Sequence, residues 1–521
     1  MWTRKVALLA GAVVLSATLT APVAVAHERG LPLGPRGLSE SRTTETLQAG
    51  VTLTTIVRGA PDPADTWTVE VAVPGGGGSP DPDAPPTAIS AREPADRLAA
   101  VLRAGGFESR VEDVVTPRLA DFSGGSLGFR VRVGSYSTKA AADGQLAQAR
   151  GRGFTASTVF TGWDGSPADR GPWVVRVLTI DPRTFRGSLA GDFGPDLERR
   201  ETTSALVAAR GATAGVNAGF FVLDPASGAP GDPAGVGVYG GRLLSEAVNG
   251  RPSFVFNGHG RATVTRNTWK GSITVGRRTL ALDGINRVPG LIRNCGGLGD
   301  TPTTRPLHDT TCTDPDELVA FTADYGVSTP AGPGAEAIVD SHNRVVTVRT
   351  PRGGPLPAGT RSVQATGAQA AELTTLARPG QKLTITSRLT GARSDYVING
   401  GPELVRDGHQ HATPAADGMV RPNDPSFYYG WAAKRNPRTI AGVDERGRVL
   451  LVTVDGRATT SLGLSIAESA AVAQALGMRA AINLDGGGST TMVAHGHVLN
   501  TPSDATGERP IGDAILVLPR T

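Results

Sequence analysis

The stretch Ala480-Ala481-Ile482-Asn483-Leu484-Asp485-Gly486-Gly487-Gly488-Ser489-Thr490-Thr491 ends an apolar run in a carboxylate, three glycines and three hydroxyls. A tight turn needs one glycine, not three followed by three hydroxyls. Glycine lets backbone amides approach a ligand closely, and successive exposed amides form a concavity suited to anions. Asn217-Ala218-Gly219-Phe220-Phe221 and Asn399-Gly400-Gly401-Pro402-Glu403 repeat the plan: an apolar run, an asparagine, then glycine. Arg438, in Asn436-Pro437-Arg438-Thr439, carries the planar fork that matches phosphate oxygens. Together these groups suit a phosphate or a sugar ring. Taken singly, Asn-Gly and Asp-Gly are ordinary hairpin turns, and Asp455-Gly456-Arg457 reads as one.

A serine hydrolase is a poorer fit. Gly487-Gly488-Ser489-Thr490-Thr491 lacks the final glycine of Gly-x-Ser-x-Gly. His409, His411, His495 and His497 lie in turn-rich loops. Their His-x-His spacing leaves a divalent metal open, and no other cofactor is expected.

The elements that must position these groups are mostly strands. Residues 174–180, 212–217, 344–348, 382–387, 396–398, 439–443, 449–455, 480–484 and 514–518 are β-branched or alternating, which predicts strands. Helices are few. Residues 201–210 form one, and 465–476 form the clearest, starting at Ser465 with Glu468 in its first turn. Upstream, strands are predicted over 51–57 and 67–73, followed by a Gly/Pro-rich hinge over 75–86. Helix, Gly-Phe and strand then occur twice, at 95–115 and 140–160, around an alternating strand ending Gly134-Ser135-Tyr136. That order predicts a small βαββαβ, ferredoxin-like module, so the fold class is α+β with a strand-rich main domain.

Arg4 and Lys5, the apolar run 6–19 and Ala24-Val25-Ala26 have the three parts of a secretory signal over 1–26. A polar leader follows over 27–45. Removing the signal takes away two basic groups and no acidic ones, so the formal charge of +4 falls to +2. So small a charge argues against a nucleic-acid partner. No other segment is apolar enough to span a bilayer. Cys295 and Cys312 are the two cysteines, and in an exported chain they read as a disulfide closing a polar loop.

The motifs AAINLDGGGSTTM, VNAGFF, NPRTIAGVDERGRVLLVTVDGR, GLSIAESAAVAQALG and GERPIGDAILVL stand in the order seen in the phosphodiester glycosidase family, which the chain resembles over about 170–519. Residues 46–60 resemble the first strand of that domain. FRVRVGSYSTKAAADGQLAQARGRGF, residues 129–154, resembles the SPOR domain, a module that binds septal peptidoglycan. The SPOR-like module, 65–165, would then be inserted after the first strand.

The first resemblance implies hydrolysis between a sugar anomeric carbon and a phosphodiester, with an N-acetylglucosamine-1-phosphodiester as the type substrate. Asp485 is the expected carboxylate at the anomeric carbon, with Glu403, Asp455 and Glu468 competing for a second role. Arg438 would neutralise the phosphodiester. Asn217, Gly219, Phe220, Asn399, Gly400, Gly401, Asn483, Gly486, Gly487, Gly488, Ser489 and Thr490 would bind substrate. The second resemblance implies that glycan lies on the sheet face bearing Arg130, Arg132, Ser135 and Tyr136. Two departures stand out. Ala218 stands where the family commonly has the first glycine of Asn-Gly-Gly, and the segment 295–315 is an insertion that would shape a rim. A secreted hydrolase of envelope glycopolymers and a non-catalytic wall-binding protein both fit this set.

Overall fold

The structure, a computed structural model, describes residues 30–73, 87–248, 250–297, 299–391, 394–421 and 423–520. The secretory signal over 1–26 and the hinge over 75–86 fall outside the described residues. Among those described, no helix is long and apolar enough to cross a membrane.

An eight-stranded antiparallel sheet forms the backbone of the main body. Its order is Glu40–Gln48, Val51–Arg58, Trp173–Ile180, Val449–Val454, Arg438–Asp444, Met478–Asn483, Glu403–Arg406 and His409–Gln410. The run Val449–Val454 (VLLVTV) explains its own composition. Val449 and Leu451 point into one core, with Leu53, Leu178 and Ile482. Leu450, Val452 and Val454 point into another, with Val177 and Ile440. A strand covered on both faces needs no polar alternation. On the second side, helix Ile466–Ala475 lays Ile466, Ala470, Val472 and Ala473 against the sheet. Ser465 and Glu468 close a capping box at its start.

Two five-stranded sheets complete the body. One runs His497–Val498, Met492–Ala494, Ala214–Asn217, Ala514–Leu518, Ser188–Asp192. The other runs Arg242–Ser245, Gly237–Tyr239, Tyr396–Asn399, Pro252–Phe256, Ala262–Arg266. Val216, Ile515, Phe254 and Ile398 from these sheets share the first core. Residues 268–390 add a satellite of small sheets around their own core, which includes Ile273, Leu318, Ala337, Val363 and Leu373.

The polar leader is shorter than its sequence suggests. Glu40–Gln48 is a strand, paired with Val51–Arg58 from Glu40↔Arg58 inward. Val51–Arg58 pairs in turn with Trp173–Ile180, Arg58 facing Trp173. The chain therefore leaves the large sheet at Arg58 and re-enters beside the same residue. Between these points lies an antiparallel sheet in the order Ser109–Thr116, Gly125–Tyr136, Trp67–Val71, Ala156–Phe160. Helices Arg92–Ala104 and Lys139–Gly151 pack on one face over Val69, Val131 and Val133.

The opposite face of this small sheet is not open. It carries Arg130, Arg132, Glu70 and Glu112, and it docks on the body at the π-helical turn Tyr429–Ala433. Arg132 Nη2 donates to Glu70 Oε2 at 2.9 Å and to Asp164 Oδ1 at 2.7 Å. Arg130 donates to Glu112 Oε2 and Asp164 Oδ2, each at 2.8 Å, and to the Tyr429 hydroxyl at 2.7 Å. That hydroxyl donates to Glu70 at 2.9 Å, and Lys434 Nζ lies 3.8 Å from Glu70. Three cations thus face three carboxylates. Buried charge is tolerated only when paired in this way. The expected glycan face is corrected here. Arg130 and Arg132 are buried in an ionic joint, while Ser135 is exposed and Tyr136 half-buried.

Removing one partner leaves the rest uncompensated, so Arg132→Met should destabilise the fold by about 3–5 kcal/mol in chemical denaturation. Burial pushes the Asp164 carboxyl up, but Arg132 and Arg130 outweigh it and hold its pKa at about 2. Glu70 is lowered too, by Lys434 and Arg132 against its own burial. Depressed carboxylates stabilise above their unfolded pKa and lose that contribution as pH falls through the folded value. Thermal melting should therefore be steady near neutral pH and drop steeply between about pH 4 and pH 2. In Arg132→Met that acid drop should be shallower.

Candidate active site

Three strand ends, one from each large sheet, converge. Asn217 ends Ala214–Asn217, Asn399 ends Tyr396–Asn399 and Asn483 ends Met478–Asn483. Each is buried, and the carboxamides of Asn217 and Asn399 are spent on the protein, while the Asn483 oxygen has no partner among the described residues. Asn217, 0% exposed, donates to the Asp485 carbonyl at 2.7 Å. Its oxygen accepts from the Thr439 hydroxyl at 2.7 Å and the Thr491 amide at 3.0 Å. Asn399 accepts from the Phe220 amide at 2.9 Å and donates to the Phe220 carbonyl at 3.2 Å. Asn483 donates to the carbonyls of Leu484 and Gly401, at 2.7 and 3.1 Å. Asn217 and Asn399 therefore hold the residues that reach the site; of the three, Asn483 alone lines it.

The site is a cleft walled by Phe220, Trp431, Arg438, Asn483, Asp485, Gly486 and Gly487 on the sheet side, and by Arg293, His308 and Asp309 opposite, with Arg509 at its mouth. Arg438 is 3% exposed. Its guanidinium donates to the carbonyls of Leu464 and Trp431, at 2.9 and 2.7 Å. Among the described residues no carboxylate lies within ion-pair distance of it. Burial, then repulsion from Arg457, pushes its pKa down. A cation held so against its preference gains from any anion placed beside it.

The triple glycine has three separate packing reasons. A Cβ on Gly486 would stand 2.8 Å from the Pro437 carbonyl. Gly487 has a φ of +59°, a left-handed conformation that glycine adopts without strain. A Cβ on Gly488 would meet Asp504 Oδ1 at 2.2 Å and Arg509 Nη2 at 2.3 Å, so this glycine admits the Asp504–Arg509 pair. Most amides of the turn are already engaged. Gly486 donates to Asp485 Oδ1 at 2.9 Å, Gly487 to Pro437 O at 3.0 Å and Ser489 to Gly486 O at 3.1 Å. The side chains of Ser489 and Thr490 are buried behind the wall, not in it.

The three rivals for a second carboxylate are also outside the wall, each matched to arginine. Glu403 pairs with Arg406 and Arg266. Asp455 accepts from Arg176 at 2.9 Å. Glu468 takes Arg435 at 2.6 Å and the Ser465 amide at 2.9 Å. Gly219 packs beside Asn399, where a Cβ would stand 2.7 Å from its amide nitrogen, and Gly400 and Gly401 pack beneath Asn483.

Sequence reasoning gave the 295–315 segment a place on a rim but singled out none of its side chains beyond the two cysteines. Cys295 and Cys312 are bonded, with Cα atoms 5.6 Å apart, and the loop they close carries His308 and Asp309 into the cleft. Asp309 is paired with Arg293. The loop's signal was the cysteine spacing alone. Asp513, in the GERPIGDAILVL motif, was also missed. It accepts from the Gly219 amide at 2.7 Å and the Tyr239 hydroxyl at 2.6 Å, and burial pushes its pKa up to about 6. Among the described residues, one group of metal-type ligands clusters: Cys295, Asp300 and Cys312. The cysteines are bonded to each other, and Asp300 Oδ2 accepts from the amides of Gly296 and Gly297 at 2.8 Å. That is a closed turn, not a cation cage. His409, His495 and His497 are exposed and His411 is half-buried.

Residues 333–518 match the phosphodiester glycosidase family, and residues 87–160 match the SPOR domain. Among solved structures, a Burkholderia pseudomallei K96243 protein described as exported shares 35% identity over 94% of this chain and 98% of its own, with a TM-score of 0.84. A hypothetical protein from Synechocystis, 17% identical over 92% of this chain and 80% of its own, shares the fold at a TM-score of 0.53. The zebrafish N-acetylglucosamine-1-phosphodiester alpha-N-acetylglucosaminidase catalytic domain is 15% identical over 87% of this chain and 89% of its own, at a TM-score of 0.32, and no weight rests on it. No curated protein matches the chain. The chain carries a phosphodiester glycosidase domain over residues 333–518. It carries a SPOR domain in its N-terminal region.

The cleft wall depends on Asn217. Asn217→Ala leaves two donors and one carbonyl unpaired in the core, so it should cost roughly 2–4 kcal/mol by denaturant unfolding. Asn399→Ala frees only Phe220 and should cost less.

Proposed function

We propose that this protein hydrolyses sugar-1-phosphodiester bonds of the N-acetylglucosamine-1-phosphodiester type in envelope glycopolymers. The observation that carries the reading is Arg438: a buried guanidinium, held by two carbonyls, opening onto the cleft that Asp485 lines. A phosphodiester supplies the missing negative charge. Phe220 and Trp431 offer apolar faces for a sugar ring. Asp485 works at the anomeric carbon, as nucleophile or as base for water. The C1–O bond breaks, and a phosphomonoester departs as a stable anion. Such a leaving group has little need of a strong general acid, which accords with the engagement of Glu403, Asp455 and Glu468 elsewhere.

The chain would act outside the cytoplasm. A signal-like N-terminus, a disulfide and a similar protein described as exported support this. We read the strand order of the N-terminal module as ferredoxin-like, inserted between Val51–Arg58 and Trp173–Ile180. Its SPOR character favours a peptidoglycan partner. With Arg130 and Arg132 spent on the joint, glycan contact would fall to the strand end around Ser135 and Tyr136.

The direct test is hydrolysis of an N-acetylglucosamine-α-1-phosphodiester by the mature chain, followed by phosphorus NMR. Wild type should release a phosphomonoester. Asp485→Asn should melt normally and lose on the order of 10³-fold or more in kcat. Arg438→Gln should raise KM as well as lower kcat. A folded Asp485→Asn variant with full activity would remove Asp485 from the mechanism. A folded wild type without turnover would favour a wall-binding protein.

A further inference from the structure

We infer that His308, held in the cleft by the disulfide-closed loop, hydrogen-bonds the bound sugar phosphate through its ring and is a specificity-determining residue. The inference deepens the proposed reading, but its first step is a binding claim. His308 lines the same cleft as Arg438 and Asp485, yet it lies outside the region matched to the family. It is 6% exposed. Among the described residues, neither ring nitrogen has a hydrogen-bond partner, and the hydrogen bonds His308 makes run through its backbone. A buried polar ring normally finds a partner, and this one lines the cleft.

The ring is also held in place. Its amide donates to Gly418 O at 3.0 Å, and its carbonyl accepts from Arg421 Nη2 at 3.0 Å. The Leu307 amide donates to Cys295 O at 3.1 Å, tying the loop back to its disulfide. Phe220 meets the imidazole edge-on at 4.7 Å between centroids, and Trp431 does so at 6.2 Å. These are the two aromatic walls proposed for the sugar. Burial and then the charges of Arg251, Arg293, Arg421 and Arg438 push the imidazole pKa well below its usual value. At neutral pH the ring is uncharged. It offers one N–H donor and one acceptor nitrogen, the pair that a sugar hydroxyl and a phosphate oxygen can use.

The test uses the mature chain with N-acetylglucosamine-1-phosphate as probe. Ring-nitrogen NMR of histidine-labelled protein should show the His308 signals shifting on titration. His308→Phe keeps the aromatic packing and removes both hydrogen-bonding atoms. It should melt like wild type and bind the probe about tenfold more weakly. His308→Gln, which restores a donor and an acceptor, should recover most of the affinity. Unmoved His308 signals, or equal affinity of His308→Phe and wild type, would overturn the inference. The diester assay separates the two claims. Turnover that is indifferent to His308→Phe keeps the proposed function and removes this one. A shift at His308 without turnover does the reverse.

Discussion

The carboxamide of Asn217 is the constraint on which the site depends. It sits where the second sheet abuts the large one and joins its own strand to two segments distant in sequence: Thr439, and the turn that carries Asp485 and Thr491. A carboxamide is suited to this, because it donates and accepts in one plane. Neither alanine nor aspartate could do the same. Through it, the end of Ala214–Asn217 fixes the backbone of Asp485, two residues beyond Met478–Asn483. Asn399 does the parallel task for Phe220. Rigid strands set the distances, and buried amides lock the turns that leave them. This is the support that precise sites require.

Charge is treated in two opposite ways. Where the module meets the body, Arg130, Arg132 and Lys434 are met by Glu70, Glu112 and Asp164. Arg435, deeper in, is met by Glu468 and Asp169. These cations are satisfied, and they fasten pieces of the chain together. Arg438 is equally buried, but two carbonyls make its hydrogen bonds, and Glu468 acts on it only at a distance. A carbonyl carries only a partial charge, so the site keeps an unmet demand for an anion. The same type of side chain is mortar in one place and receptor in the other. The difference lies in whether the fold supplies the counter-charge.

Much of this was legible in the sequence. The alternation of residues 129–136 and the doubled helix, Gly-Phe and strand order gave the module. Residues 449–455 read as a strand, and Val449–Val454 is one. The three strand, Asn, Gly motifs pointed to one place, and they do converge. Their roles were harder to read. An asparagine before a glycine looks the same whether it faces a ligand or clamps a neighbour, because its partner may be hundreds of residues away. Arg130 and Arg132 raise the same problem. Period two puts them on one face, but only Glu70, Asp164 and Tyr429 decide that the face is dry. The triple glycine read as a ligand cradle. Most of its amides are engaged within the protein, Gly486 and Gly488 make room for neighbours, and Gly487 takes a left-handed conformation.

The wall formed by the loop of Cys295 and Cys312 was least legible, for a physical reason. Periodicity reports burial against a sheet or helix, and this loop has neither. Its turn residues resemble those of any exposed connection. Yet the loop is pinned at each end, by its disulfide and by Arg421 and Gly418, and it covers a cleft whose other side comes from the sheets. The main-sheet side carries Arg438 and Asp485 on strand ends, where a change in position would disturb the core. The loop side carries His308 and Asp309, both buried, with Asp309 paired to Arg293, so it is constrained as well. On the proposed reading, charge neutralisation would come from the sheets, and part of the cleft's shape from a loop held by a disulfide and by hydrogen bonds to Arg421 and Gly418.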